Sequence, residues 1–254
     1  MNIDAGAIVR LGRTGITIYG DRYRGPGELY FRDFNWNDMP SVKSDDVQRP
    51  MSDGDYPSAS YLEPRDLEMG GFLVADSHEL MLHMVNRLKA QRGRTVRLAV
   101  DEPSLTTWAD TEVRSVRVQP FGFAPEVEFT IVFHMPDPRK YGPPAKVFTS
   151  GEPVSHRGNY DATPEFTVTG NMPSGYRITG PAGRQYVVSQ ALAPGQEHRI
   201  DFSTGWLYRD GVLQQGAVTR PETWTIPPGS TVSMNLVPVA GSGALAVRVP
   251  YTAI

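Results

Sequence analysis

Glu126-Val127-Glu128-Phe129-Thr130-Ile131-Val132-Phe133-His134-Met135 places an apolar side chain at every second position. Val127, Phe129, Ile131, Phe133 and Met135 share one parity, the period of a β-strand with one face on a core. Pro136-Asp137-Pro138 stops it, because proline brings no N–H to a ladder. Toward the N-terminus Val96, Leu98 and Val100 alternate in the same way, and Val113, Val116 and Val118 do so less regularly. Further upstream the period changes. Met81, Met84, Val85 and Leu88 fall at i, i+3, i+4 and i+7, Asp76 and Glu79 resemble a capping box, and Gly93 stands where a left-handed terminal glycine belongs. This predicts one helix, roughly Ser77 to Arg92, with Glu79, Asn86, Arg87 and Lys89 outward.

Before that helix, Tyr61 to Ala75 has strand character, and Ile16–Tyr19 and Leu29–Phe31 read as short strands around a turn-rich Gly20–Gly27. Between them Asn35 to Ser60 is polar, carries Pro40, Pro50 and Pro57, and shows almost no apolar periodicity. A stretch of that length is either an arm that orders against a partner or a plain surface loop. After the strong strand, Tyr141-Gly142-Pro143-Pro144 reads as a linker. Beyond it no helix is expected. Strand candidates are Phe166–Thr169, Tyr176–Thr179, Gln185–Val188, His198–Asp201, Gly205–Arg209, Glu222–Ile226, Thr231–Val237 and Ala244–Val249. Turn residues separate them, Asp210-Gly211 being the hairpin signal, and this even spacing is that of a sandwich or jelly roll.

Composition agrees with a strand-and-turn chain. Of 254 residues 25 are Gly and 22 Pro, well above the usual combined share of roughly 12%. A formal net charge of −3 gives no footprint for nucleic acid, and zero cysteines excludes thiolate metal sites, Fe–S clusters and cysteine nucleophiles. Met1 to Thr17 has no apolar stretch suited to a signal peptide, and the longest apolar run, Phe72 to Ala75, is far below the ~20 residues of a membrane span, so a soluble, cytoplasmically made chain is expected.

The motifs of chemistry are weak. Gly241-Ser242-Gly243-Ala244-Leu245-Ala246 fits a dinucleotide string, but eight residues follow it, Pro250 among them, leaving no room for the helix that would meet a pyrophosphate. His78 and His83 are five apart on the helix, not the four that puts two ligands on one face. His134, His156 and His198 are isolated, and Asp53-Gly54-Asp55 lacks the further carboxylates of a calcium loop. No P-loop or G-x-S-x-G elbow is present. The expectation is no catalytic, cofactor-binding or metal-ligating residue, no cofactor and no enzyme. Trp206, Tyr208, Trp224, Tyr160, Tyr176 and Tyr186 leave three readings open: sandwich core, favoured at this spacing, a sugar platform, or a protein interface.

The ordered set of features resembles the distal tail (Dit) family of long-tailed, non-contractile bacteriophages, in particular the minor tail proteins of actinobacterial phages. The carrying residues are Arg49-Pro50, Asp53-Gly54, Tyr61-Leu62-Glu63-Pro64-Arg65-Asp66-Leu67-Glu68-Met69-Gly70-Gly71, the single helix, and the strand closing at Asp137-Pro138-Arg139. They continue with Gly158 to Gly170, Ile200-Asp201-Phe202-Ser203-Thr204-Gly205, Asp210-Gly211 and Pro228-Gly229-Ser230. The resemblance spans about Ile16 to the C-terminus, with no large carbohydrate-binding insertion in the second half. It implies a mainly β chain: residues 1–144 as a β-sandwich plus one α-helix, 145–254 as a galectin-like or jelly-roll sandwich. It further implies a ring of six copies at the virion tail tip, meeting the tail tube protein and the tail-tip hub protein, with the tape-measure protein a further candidate partner. No catalytic residues come with it. The alternative is a non-catalytic carbohydrate- or receptor-binding sandwich.

Overall fold

The computed structural model describes residues 6–20, 25–56, 58–120 and 122–254. The chain divides into two compact units, one ending at Lys140 and one running Tyr141–Ala253, so the expected Tyr141–Pro144 linker opens the second unit.

In chain order the first unit contains β1 (Ile8–Leu11), β2 (Thr17–Tyr19), β3 (Glu28–Phe34), the short β4 (Val42–Ser44), β5 (Val47–Gln48), β6 (Asp55–Tyr56) and β7 (Ser60–Leu62), and β8 (Arg65–Val74). Then come α1 (His78–Lys89), β9 (Thr95–Glu102), β10 (Leu105–Pro120) and β11 (Glu126–Met135). Seven of these strands pair in the order β11-β8-β3-β2-β1-β9-β10, and β10 also pairs with β11. The sheet closes on itself. This corrects the expected N-terminal sandwich to a barrel-like sheet, and β10 is the cause. Its first half pairs with β9 (Leu105↔Glu102 to Glu112↔Thr95) and its second with β11 (Glu112↔His134 to Pro120↔Val127), with a bulge between Val113 and Ser115. An extra residue bends a strand and steepens its twist. The bulge also explains the irregular spacing of Val113, Val116 and Val118: skipping one residue restores the inward parity, and Val116 and Val118 pack on the core.

The five predicted apolar residues of β11 all point inward, with Leu67, Met69 and Leu73 of β8 beside them. Gly71 shares their parity but has no room for a side chain. A Cβ there would lie 2.0 Å from the Tyr30 carbonyl oxygen and 2.7 Å from the Phe129 ring.

Helix α1 covers one end of the barrel, where β8 finishes, β1 turns into β2 and β9 begins. Val85 and Leu88 are buried in the barrel core, with Met81 and Met84 against it. Ser77, not Asp76, caps the helix: its hydroxyl accepts from the Leu80 N–H at 3.2 Å. Gly93 has the predicted left-handed φ, +75°.

After β12 (Lys140–Gly142), the second unit contains β13 (Val147–Thr149), β14 (Pro153–Val154), β15 (Glu165–Asn171), β16 (Tyr176–Thr179), β17 (Gln185–Val188) and β18 (Glu197–Asp201). It continues through β19 (Trp206–Arg209), β20 (Val212–Leu213), β21 (Val218–Pro221), β22 (Val232–Ser233), β23 (Asn235–Pro238) and β24 (Ser242–Arg248). A six-stranded sheet, β13-β24-β15-β18-β19-β20, and a four-stranded one, β21-β17-β16-β23, contribute to one core. Phe166, Val168, Ile200 and Val247 come from the first, Tyr176, Ile178, Tyr186 and Val188 from the second. The Trp224 ring meets Phe202 edge-on at 4.6 Å and Phe166 at 6.0 Å. Asp210 (φ +49°) and Gly211 (φ +82°) form the turn between β19 and β20, both positive as a two-residue I′ hairpin requires. Glu222–Ile226 is not the expected strand; its ladder pairing is the isolated Ala162↔Ile226 bridge, and β21 precedes it.

Candidate assembly surface

Residues 35–63 form a projecting hairpin. β4 pairs with β7 (Val42↔Leu62 to Ser44↔Ser60) and β5 with β6 (Val47↔Tyr56, Gln48↔Asp55). The strands were invisible to periodicity because each is only two or three residues long. Gly54, with φ +83°, makes the turn, and the Arg49 N–H donates to its carbonyl at 3.2 Å. Midway, Asp46 ties the two sides together: it accepts from the Ser44 hydroxyl at 2.6 Å and from the Ser58 hydroxyl and N–H at 2.9 and 3.3 Å. These donors hold its carboxyl below the usual carboxylate range.

Every described residue from Ser41 to Tyr61 is exposed. The arm therefore lies on no part of its own barrel. Val42, Val47, Tyr56 and Tyr61 are all more than half exposed, and Met51 at the turn stands fully in solvent. Lys43 and Arg49 face five carboxylates between Ser41 and Glu63, an excess equal to the chain's whole formal charge of −3.

The root is as fixed as the arm is free. Trp36 is buried, and its indole N–H donates to Thr107 Oγ1 at 3.1 Å. Arg65 Nη2 and Lys140 Nζ donate to the Trp36 carbonyl at 3.2 and 3.3 Å, and Lys140 also donates to Asn37 Oδ1 at 3.3 Å. Asn37 Nδ2 reaches Glu102 at 3.5 Å, and Asn35 Oδ1 accepts from the Glu68 N–H at 2.8 Å. Burial, joined by the Arg65 charge, pushes the Lys140 ammonium down to about 8, with Glu102 opposing. Trp36 to Lys140 spans most of the unit, a pairing that no local pattern reveals.

The helix-covered barrel end is basic. Arg87, Lys89, Arg92, Arg94 and Arg97 follow one another with no carboxylate between them, and all are exposed. Arg97 makes a two-pronged pair with Asp110, at 2.9 and 3.0 Å. Near-neutral totals hid both this cluster and the acidic arm.

The histidines separate into three kinds. His78 and His83 are exposed on α1. His134 Nδ1 lies 2.7 Å from Asp66, and buried His156 has both nitrogens engaged, by Ile226 O at 3.0 Å and the Gly158 N–H at 3.1 Å. His198, fully buried, meets the Tyr176 hydroxyl at 3.1 Å, and its Nε2 has no partner among the described residues. The same residues gather no group of three or more His, Cys, Asp or Glu able to hold a metal, and no described helix is long and apolar enough to cross a membrane. Asp53 and Asp55 sit at the arm's turn, and the Gly241 string is a turn leading into β24.

The aromatics split. Tyr176, Tyr186 and Trp224 are core, as favoured. Trp206 and Tyr208 are not: their parity on β19 is opposite to that of buried Leu207, so they lie on the outer face of the six-stranded sheet, Trp206 52% exposed and Tyr208 beneath Arg199.

No family model matches the sequence, and no curated protein matches it. Solved structures do. The Dit protein of phage SPP1, described as a paradigm of the hub adsorption apparatus in phages infecting Gram-positive bacteria, superposes with a TM-score of 0.72 at 14% identity, over 88% of this chain and 93% of that one. The fold is that of a distal tail protein. Chains of the phage P2 baseplate in its activated conformation, with Ca and with Sr, superpose at TM-scores of 0.54 and 0.53, identities of 10% and 11%, over 96% and 95% of this chain.

Proposed function

We propose that this chain is a structural protein of a phage tail tip, forming a ring of six copies that joins the tail tube to the hub of the adsorption apparatus. The observation that carries the reading is the match of nearly the whole chain, both units included, to the SPP1 Dit protein. The physical chemistry of the first unit supports it. A closed sheet leaves few free edges, so the projecting arm is the part of this unit best placed to reach a neighbour. What projects is an exposed arm with a clamped root, which suits contact with another subunit.

In this reading residues 1–144 make the ring and 145–254, a galectin-like sandwich, face outward in the virion. The protein works by docking the tail tube and the hub, and the tape-measure protein is a further partner; no step is catalytic. The test is removal of residues 42–59, with a short linker across the gap. We expect a folded protomer that no longer forms rings. A truncated chain that still assembles rings overturns the arm's part in the reading.

A second reading has one observation in its favour. Trp206, exposed beside Tyr208, gives the outer sheet face a stacking surface of the kind sugars use. It requires saturable binding of host cell-wall glycans by the full chain, lost in Trp206→Ala.

A further inference from the structure

We infer that the acidic turn of the arm, Asp53 to Asp55, docks in the arginine-lined cleft at the helix-covered end of the barrel of a second copy of this chain. The inference rests on the ring reading above and names the two surfaces that meet.

The first surface is the arm, with its excess of three negative charges, exposed over its length. The second is a cleft of about 580 Å³ lined by Arg13, Arg94, Arg97, Gln91 and the Gly12–Thr14 turn. Arg87 and Lys89 are answered by the negative end of the α1 dipole, whereas Arg92, Arg94 and Arg97 lie beyond the helix, and among the described residues the salt bridge they make is that of Arg97 with Asp110. At the cleft's floor buried Gln91 is fixed by its Nε2, which donates to the Arg87 carbonyl at 3.0 Å. A cationic cleft suits an acidic backbone segment, which brings carboxylates for the guanidinium groups.

The topology makes this contact intermolecular. The arm leaves the barrel at Trp36, anchored on Thr107, whereas the cleft opens around the Arg97–Asp110 pair, and no described residue of the arm from Ser41 to Tyr61 is buried against it. The arm rests on none of its own barrel. Joining the arm of one protomer to the cleft of the next is a heterologous contact, which closes into a ring when the rotation permits.

Charge reversal tests the pairing. Asp53→Lys with Asp55→Lys, and separately Arg13→Glu with Arg94→Glu, should each weaken self-association at low salt at least tenfold. One chain carrying all four changes should assemble again, because both surfaces have changed sign. Folding is checked independently through Asp55→Cys with Arg94→Cys: the parent has no cysteine, so oxidation should give a disulfide ladder from this pair and none from either single variant.

If wild type forms rings and the reversed variants do so equally, the docking inference fails while the ring reading stands. A wild type that never associates overturns both. Retention of double-stranded DNA by the arginine cluster, with assembly indifferent to the reversals, would assign the cleft to nucleic acid and overturn the inference.

Discussion

Acid should weaken the second unit through a single side chain, His198. Its ring is fully buried, 3.1 Å from the Tyr176 hydroxyl. Burial pushes its pKa from 6.5 down to about 4, the Arg209 charge acts in the same direction, and Asp210 opposes. In the unfolded chain the ring regains its ordinary value. Between pH 6.5 and about 4 the unfolded state therefore binds the extra proton, and stability falls as pH falls through that window. At ~1.4 kcal/mol per pH unit the window carries about 3 kcal/mol, a large part of the 5–15 kcal/mol that typically holds a domain. The perturbation is His198→Gln, which stays neutral and can still meet the Tyr176 hydroxyl. Denaturant unfolding of both full chains at several pH values from 7.5 to 4, followed by fluorescence, gives the difference in stability. Wild type should lose about 3 kcal/mol relative to the variant across the window, the carboxylates common to both cancelling. A difference that stays flat from pH 7.5 to 4 refutes the reasoning.

Three further outcomes follow from the packing. Trp224→Ala should cost about 3–5 kcal/mol because the ring fills the core against Phe166 and Phe202, whereas Trp206→Ala on the outer face should cost under about 1 kcal/mol in the same unfolding assay. Gly71→Ala should destabilise the barrel by about 2–3 kcal/mol, since its Cβ would meet the Tyr30 carbonyl at 2.0 Å, and denaturant midpoints read the loss. Lys140, held to about 8 by burial, binds its proton less well folded than unfolded, so wild-type stability should rise between pH 8 and 10.5; Lys140→Met should abolish that rise in unfolding curves taken across the range.

Local order was legible in the sequence where one period ran long enough. β11 with five alternating apolar residues, α1 with its i, i+3, i+4, i+7 stripe, and the exact spans of β16 and β17 needed no tertiary information. The Asp210-Gly211 hairpin was equally plain, because a turn with two positive φ values admits few residue types. Closure of the barrel was not legible. It depends on β10 exchanging partners midway, and the bulge beside Arg114 left only a stutter among Val113, Val116 and Val118.

The assembly surface was half legible. Asn35 to Ser60 stood out as too long and too polar for a connection inside a compact unit, yet strands of two residues give no alternation to read. Its root joins Trp36 to Thr107 and Lys140, contacts set by the fold alone. Trp206 and Tyr208 were read as core because i, i+2 spacing shows that two side chains share a face, but not which face is buried.

The central claim, self-assembly into a tail-tip ring, is tested most directly by light-scattering mass with negative-stain imaging of the purified full chain over a range of concentrations. The account predicts closed rings with a central opening and a mass near six times the 28.1 kDa protomer. A monodisperse 28.1 kDa species at every concentration would contradict it.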